Sequence, residues 1–344
     1  MTYDAHTSAL NIAGSMFKGV GYTTLGMGLA GASALAWGSF ERRWPTLRHV
    51  HVTLDPSRNI QPLTILHVSD LHMFPGQDFI EDFLRKVTAT NHIDFVVSTG
   101  DNFSSVDGLV PLMRAYKPLL DYPGAYVLGS NDYYSQMPKS WARYLVGGHP
   151  RKTRTTPNLP WTELTSAFHE AGWTNLNNRA DTLSIPVVLA PVAHVSSSST
   201  IAPNASSHSI HEAAHTSQTL SFIGTDDAHL NRDRLPIPLD SWADQQNLRI
   251  GLTHAPYTRV LNAMTDAGAD LIFAGHTHGG QIGLPGFGAI VTNCDVPRKY
   301  AKGLHSWRYG THQSFVNVSA GLGTSRYAQV RIATRPEATL LSIA

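Results

Sequence analysis

An α/β fold is predicted for this 344-residue chain from three observations. Apolar, β-rich runs alternate with helical stripes from Leu63 onward. Several of those runs end in a cluster of Asp, His or Asn, and 42% of the residues are hydrophobic, enough to build a core. A net charge of +1 provides no basic field, so no nucleic-acid-binding surface is expected. The single cysteine, Cys294, excludes an intrachain disulfide framework and any Cys-rich metal site. Histidine is the abundant reactive side chain instead, with 18 copies.

Residues 1–60 read as an N-terminal segment and 61–344 as the globular domain. Within the segment, residues 19–40 carry no charge. About 20 apolar residues cross a bilayer as a helix, so this run reads as a membrane anchor. Six glycines lower its hydropathy and Ala32-Ser33-Ala34 resembles a signal-peptidase site, which leaves a cleaved signal or a soluble helix as alternatives. Arg42, Arg43 and Arg48 follow the run while only Lys18 closely precedes it, a bias that puts the domain on the cytoplasmic side of a membrane. Gly26-Met-Gly28-Leu-Ala-Gly31 spells GxGxxG, but no strand leads into it, so it reads as small residues in a packed helix.

The domain begins with a strand at 64–68 that runs into Ser69-Asp70. Phe79, Ile80, Phe83, Leu84 and Val87 then share one helix face. Residues 94–98 form a second strand, 109–117 a helix that stops before Pro118, and 125–128 a third strand. Leu164, Ala167, Phe168 and Ala171 mark another helix, closed by Gly172. Further strands are expected at 182–189, 220–223, 248–252, 271–273, 289–292, 315–318 and 339–343. Residues 195–218 break the rhythm, with a serine run and three histidines but no apolar periodicity. They read as a disordered insertion, a metal-scavenging loop being the alternative.

Five segments follow apolar strands and end in oxygen or nitrogen donors. They are Asp70-Leu-His72, Gly100-Asp101-Asn102, Gly129-Ser130-Asn131-Asp132, His254 before Ala255-Pro256, and Gly275-His276-Thr277-His278-Gly-Gly-Gln281. In a sheet fold such strand-end residues gather at one edge, where crevices form. Carboxylates, an amide and imidazoles together suit Mn²⁺, Fe²⁺ or Zn²⁺ and not Ca²⁺. A shared carboxylate holds two ions roughly 3.5–4 Å apart, a pair that acidifies a bridging water and needs no protein nucleophile. In keeping with that, the sequence has neither a G-x-S-x-G elbow nor a Walker loop.

These motifs resemble those of the calcineurin-like metallophosphoesterase superfamily, which read D-x-H, G-D, G-N-H followed by Asp or Glu, a lone His, and G-H-x-H. The longer G-H-T-H-G-G-Q and a late Gly321-Leu-Gly-Thr324 are similar to its bacterial YkuE-like branch. The match covers about four-fifths of the chain. The resemblance implies a four-layer αββα sandwich, classed as α/β or in some schemes α+β, and two divalent metal ions. By the same resemblance Asp70, His72 and His278 hold the first ion, Asp101 bridges, and His254 and His276 hold the second. Here the third motif departs from the family. An ungapped reading puts Ser130 at the amide-ligand position and Asn131 where the family has its catalytic His. A one-residue slip keeps Asn131 as the ligand and places Asp132 at the His position. The slip is favoured because a hydroxyl is a poor ligand beside an available amide, and it leaves Asn131 and Asp132 as the catalytic candidates of this motif.

The implied activity is metal-dependent hydrolysis of a phosphodiester or phosphomonoester by a metal-bridging hydroxide, on a phosphorylated small-molecule or lipid substrate. A membrane-associated lipid pyrophosphatase acting on UDP-diacylglucosamine, and an inactive scaffold, are the alternatives. His67, inside a strand, reads as a hydrogen-bonded core residue and Cys294 as buried and inert. Asp226, Asp227 and His229 either line the crevice or cap a turn.

Overall fold

Two six-stranded sheets face one another in the computed structural model, which describes residues 31–137, 156–188 and 215–344. In chain order the strands of the first sheet are β1 (Thr46–Val52), β2 (Leu63–Val68), β3 (Phe95–Ser98), β4 (Gly124–Tyr126), β5 (Thr174–Asn175) and, last in the chain, β14 (Glu337–Ile343). They are arranged β1-β14-β2-β3-β4-β5. The second sheet, ordered β12-β13-β9-β8-β7-β6, uses β6 (Arg179–Val188), β7 (His215–Gly224), β8 (Leu248–Leu252), β9 (Leu271–Ala274), β12 (Gly303–Tyr309) and β13 (His312–Val318). A two-residue hairpin pair, β10 (Gly283–Leu284) and β11 (Gly288–Ala289), stands apart.

Side chains from both sheets, among them Ile65, Phe95, Val97, Phe222, Ile250, Phe273 and Leu341, fill the space between them. Helices α1 (Asp78–Thr90), α2 (Leu109–Tyr116) and α3 (Trp161–Glu170) cover the outer face of the first sheet, and α4 (Thr258–Asp266) that of the second. The result is the expected αββα sandwich. Helix α1 forms because Ile80, Leu84 and Val87 recur at helical spacing and bury one stripe, with Asp78 and Glu81 in the first turn complementing its dipole. Strands β3 and β9 are apolar without alternation because both faces of a covered parallel strand are buried.

Several boundaries differ from the sequence expectations. The division at residue 60 does not hold, because β1 pairs in parallel with β14 from Thr46 to Val52 as the edge of the first sheet. Its half-polar sequence hid it: Arg48 and His49 interrupt the apolar pattern, and Arg48 is satisfied by the buried Glu337 at 2.7 Å. The strand expected at 289–292 shrinks to the Gly288–Ala289 half of the hairpin. The insertion is shorter than expected at its C-terminal end, since 215–218 belong to β7 and pair with β6. Residues 195–214 lie outside the described residues, as do 19–30 of the apolar run, whereas 31–41 are helical. Helix α4 and strand β12 were not among the expected elements.

Candidate metal centre

The strands β2, β3 and β4 of one sheet, and β8 and β9 of the other, are parallel neighbours whose C-terminal ends carry the five motifs. Asp70, His72 and His278 bring ligand atoms within 4.8 Å of one another, and Asp101, His254 and His276 do the same. The groups adjoin: His72 Nε2 lies 3.6 Å from Asp101 Oδ2 and 3.9 Å from Asp70 Oδ1. Five of the six residues have left-handed backbone, with φ of 50° at Asp70, 44° at His72, 57° at Asp101, 69° at His276 and 52° at His278. For a residue with a Cβ this conformation costs on the order of 1–3 kcal/mol and persists only where the surroundings enforce it. Here the turns are laced together, with Asp70 N donating to Gly100 O at 2.8 Å, His72 N to Asp101 O at 3.0 Å and Met73 N to Asn102 O at 2.7 Å. Gly129 and Gly275 are required for space, because a Cβ on either would collide with the carboxylate of Asp101 or Asp70.

The donor set fits divalent metal. His254 donates from Nδ1 to Thr99 O at 2.7 Å, which turns Nε2 toward Asp101, 3.4 Å away, yet buried Nε2 has no hydrogen-bond partner. The rings of His72 and His278 stack with Nε2 atoms 3.0 Å apart, both on the Asp70 side. Burial pushes His72, His276 and His278 below the ordinary imidazole pKa, into the neutral form that ligates. Burial acts the same way on His254 but is outweighed by Asp101, Asp227 and Asp70, which raise it well above that value. In Asp101, burial is outweighed by His254, His72 and Asn131, which hold the carboxyl well below the usual range.

A directional hydrogen-bond chain supports Asp70 from the opposite sheet. Asn317 Nδ2 lies 2.8 Å from His67 Nδ1, and His67 Nε2 lies 2.9 Å from Thr99 Oγ1. Thr99 then donates to Ser69 Oγ at 2.6 Å and Ser69 to Asp70 Oδ2 at 2.6 Å. His67 is thus the core histidine expected, its pKa lowered by burial to about 3. Behind the first group lies Arg331, the largest fully buried side chain among the described residues, donating to the carbonyls of Ala320, Gly321 and Gly323 and set 3.3 Å from His278 Nδ1. Sequence reasoning missed Thr99, Ser69, Gln136 (2.8 Å from His72 Nδ1) and Arg331, none of which stands in a motif that marks it.

The third motif resolves into two parts. Asn131 lies against the central carboxylate, donating from its backbone N to Asp101 Oδ1 at 2.7 Å and from Nδ2 to Asp101 Oδ2 at 2.6 Å. Among the described residues Ser130 Oγ approaches only Asn131 Nδ2, at 3.5 Å. Asp132 does not fit the catalytic role expected of it. It is fully buried and accepts from the backbone N–H groups of Asp101, Asn102 and Gly129, each at 2.8 Å, so it anchors the turns from behind. Asp226 and Asp227 take the turn reading: Asp226 pairs with Arg232 at 2.8 Å, and Asp227 caps the turn by accepting from His229 N at 2.8 Å. His229 instead lies in the crevice, its ring centroid 4.7 Å from that of His276. Cys294 is only partly buried rather than fully so, yet that burial raises its thiol pKa to about 11.

The family model for calcineurin-like phosphoesterases matches residues 63–280. The UDP-2,3-diacylglucosamine pyrophosphatase LpxG of Chlamydia trachomatis is 26% identical over 350 residues, covering 95% of this chain and 98% of that protein. The uncharacterized metallophosphoesterase YkoQ of Bacillus subtilis is 24% identical over 288 residues, 82% of this chain and 83% of its own length. A second protein of that organism, the uncharacterized metallophosphoesterase YkuE, is 37% identical over 79 residues, 23% of this chain and 26% of its own.

Proposed function

The chain belongs to the calcineurin-like phosphoesterases, and from that premise we propose that it is a two-metal hydrolase of a phosphorylated lipid, cleaving a phosphate ester or diphosphate bond. The observation that carries the reading is the pair of adjoining Asp/His groups at one sheet edge. Bound Mn²⁺, Fe²⁺ or Zn²⁺ supplies positive charge to a phosphoryl group and acidifies water. Asp70, His72 and His278 would hold one ion, and Asp101, His254 and His276 the other, with Asp101 shared. Asn131 is the amide that would complete the second group, since its carboxamide already lies against Asp101. Within the protein, Thr99 O fixes the His254 ring, Ser69 orients Asp70, and Asp132 holds the turns in register.

A lipid substrate is supported by the near full-length similarity to a pyrophosphatase whose name specifies a diacylated sugar nucleotide. Membrane attachment through residues 19–40, with the catalytic body on the cytoplasmic side, belongs to the same proposal. Among the described residues no helix is long and apolar enough to cross a membrane. Residues 31–41, however, expose Leu35, Trp37 and Phe40 on a helix that buries only Gly38 and Glu41, and Trp44 follows with Arg335 stacked 4.1 Å over its ring. Apolar side chains exposed around a helix, next to Trp and Arg, suit a bilayer interface.

The test is a substrate panel read by ³¹P NMR: a lipid-linked nucleoside diphosphate, a phosphodiester and a phosphomonoester, each with Mn²⁺ and with chelator. Chelator-sensitive hydrolysis that Mn²⁺ restores, fastest on the lipid diphosphate, is expected. Equal rates with and without metal would overturn the metal-dependent reading, and preference for soluble monoesters would overturn the lipid one.

A further inference from the structure

One imidazole in the crevice has no part in the ligand groups. His229 sits in the turn after β7, and three contacts place it. Asp227, itself buried, caps the turn on His229 N, while Leu230 N and Arg232 N donate to the Asp227 carbonyl at 3.2 and 3.1 Å. The His229 ring packs on His276 at a tilt of 41°. Its Nδ1 lies 3.1 Å from the hydroxyl of Tyr257, three residues beyond His254. Unlike the buried rings of His72, His254 and His278, that of His229 is half-exposed. It therefore stands where the second ligand group meets solvent.

The contact between Nδ1 and the Tyr257 hydroxyl can run in either direction; with the hydroxyl as donor the ring carries its proton on Nε2, which makes Nε2 a hydrogen-bond donor. Position 131, beside Asp101, is occupied by an amide in this chain, whereas the turn after β7 brings an imidazole against His276. We propose that His229, oriented by Tyr257 and the Asp227 cap, is a substrate-binding residue that donates from Nε2 to the phosphoryl oxygens of the phosphate ester. The proposal rests on the phosphohydrolase reading above. It concerns phosphate recognition and not metal retention.

Calorimetric titration of the Mn²⁺-loaded protein with inorganic phosphate, with elemental analysis of each sample, tests it. Loss of one donor to a charged phosphoryl group typically costs about 10²-fold. His229→Ala should therefore weaken phosphate binding and lower kcat/KM by about that factor while metal content stays at the wild-type level. His229→Gln, which retains an N–H donor, should recover most of the loss, and Tyr257→Phe should fall between the two because the tautomer is no longer selected. Phosphate affinity and kcat/KM within twofold of wild type in His229→Ala would overturn the proposal. So would loss of a metal equivalent, which would make His229 a ligand. If wild type hydrolyses nothing in the substrate panel yet binds phosphate in a His229-dependent way, the donor assignment stands and the hydrolase reading falls.

Discussion

The two ligand groups contain the same kinds of side chain but are supported differently. The first is backed by protein on every side: Asp70 ends the chain that starts at Asn317, His72 meets Gln136, and His278 meets the fully buried Arg331. The second is held through the Thr99 carbonyl behind His254, buried Asp132 behind the Asp101 amide and the Asn293 carbonyl beside His276, but its other neighbours are half-exposed Ser130, Asn131 and His229. The difference assigns separate duties. The first group is built to hold, and the second to meet what enters. The departure from the family motif falls on its half-exposed positions, Ser130 and Asn131, whereas Gly129 and Asp132 on either side are buried.

Asp101 touches both groups, so its substitution should have the largest effect. Asp101→Ala should lose both ions by elemental analysis and reduce turnover by about 10³-fold, the upper end for removing one electrostatic stabiliser. Retention of one full equivalent would show that the groups are independent and would break the comparison at its centre. Next in size is the third motif. Asn131→Ala should deplete one ion and lower turnover by about 10²-fold, whereas Ser130→Ala should leave metal content unchanged. The reverse order would make the hydroxyl the ligand.

Thr99→Val sharpens the contrast further, because it removes the hydroxyl that reaches Asp70 through Ser69 and keeps the carbonyl that holds His254. Supports of this kind change metal affinity by about 10–100-fold. The loss should fall on the first group alone, as read by metal titration of a sample with the second group filled. Weakening at both groups would mean that the shared residue couples them. The smallest effect is expected from excising residues 195–214. Closure entropy changes by only about 0.6 kcal/mol per doubling of loop length, so melting temperature and hydrolysis should stay close to wild type. A large fall in activity would show that the histidine-bearing insertion serves the site.

Six candidate ligands were legible because each follows a strand whose apolar run announces it, and side chains at parallel strand ends converge whatever lies between them. The supports that stand behind these ligands were not. Arg331 and Asn317 act across long sequence separations and sit in no motif, so nothing local marks them. Asp132 was misread for a related reason. Its place beside Asn131 in sequence suggests a shared crevice, but the single helical turn at Ser130–Tyr133 points the two side chains differently, Asn131 to Asp101 and Asp132 into the backbone amides behind it. Strand β1 was lost because an edge strand needs only one apolar face, and its polar residues mimic a linker. The stripe of Val260, Leu261 and Met264 that buries α4 is readable at helical spacing, yet the segment is only nine residues long and follows directly on a ligand loop.

Strand β1 has a further consequence, which is one of reach. A domain joined to its attachment point by a flexible linker of n residues explores roughly 5–6 Å × √n around it. This chain has no such leash between residue 31 and the sheet. Glu41 accepts from the Ala333 and Thr334 amides, Thr46 N donates to Pro336 O, and β1 is hydrogen-bonded to β14 from there on. The crevice therefore stands at a set distance and angle from the helix at 31–41. The crevice does not swing about that helix; whatever the helix meets, the crevice meets from one fixed station.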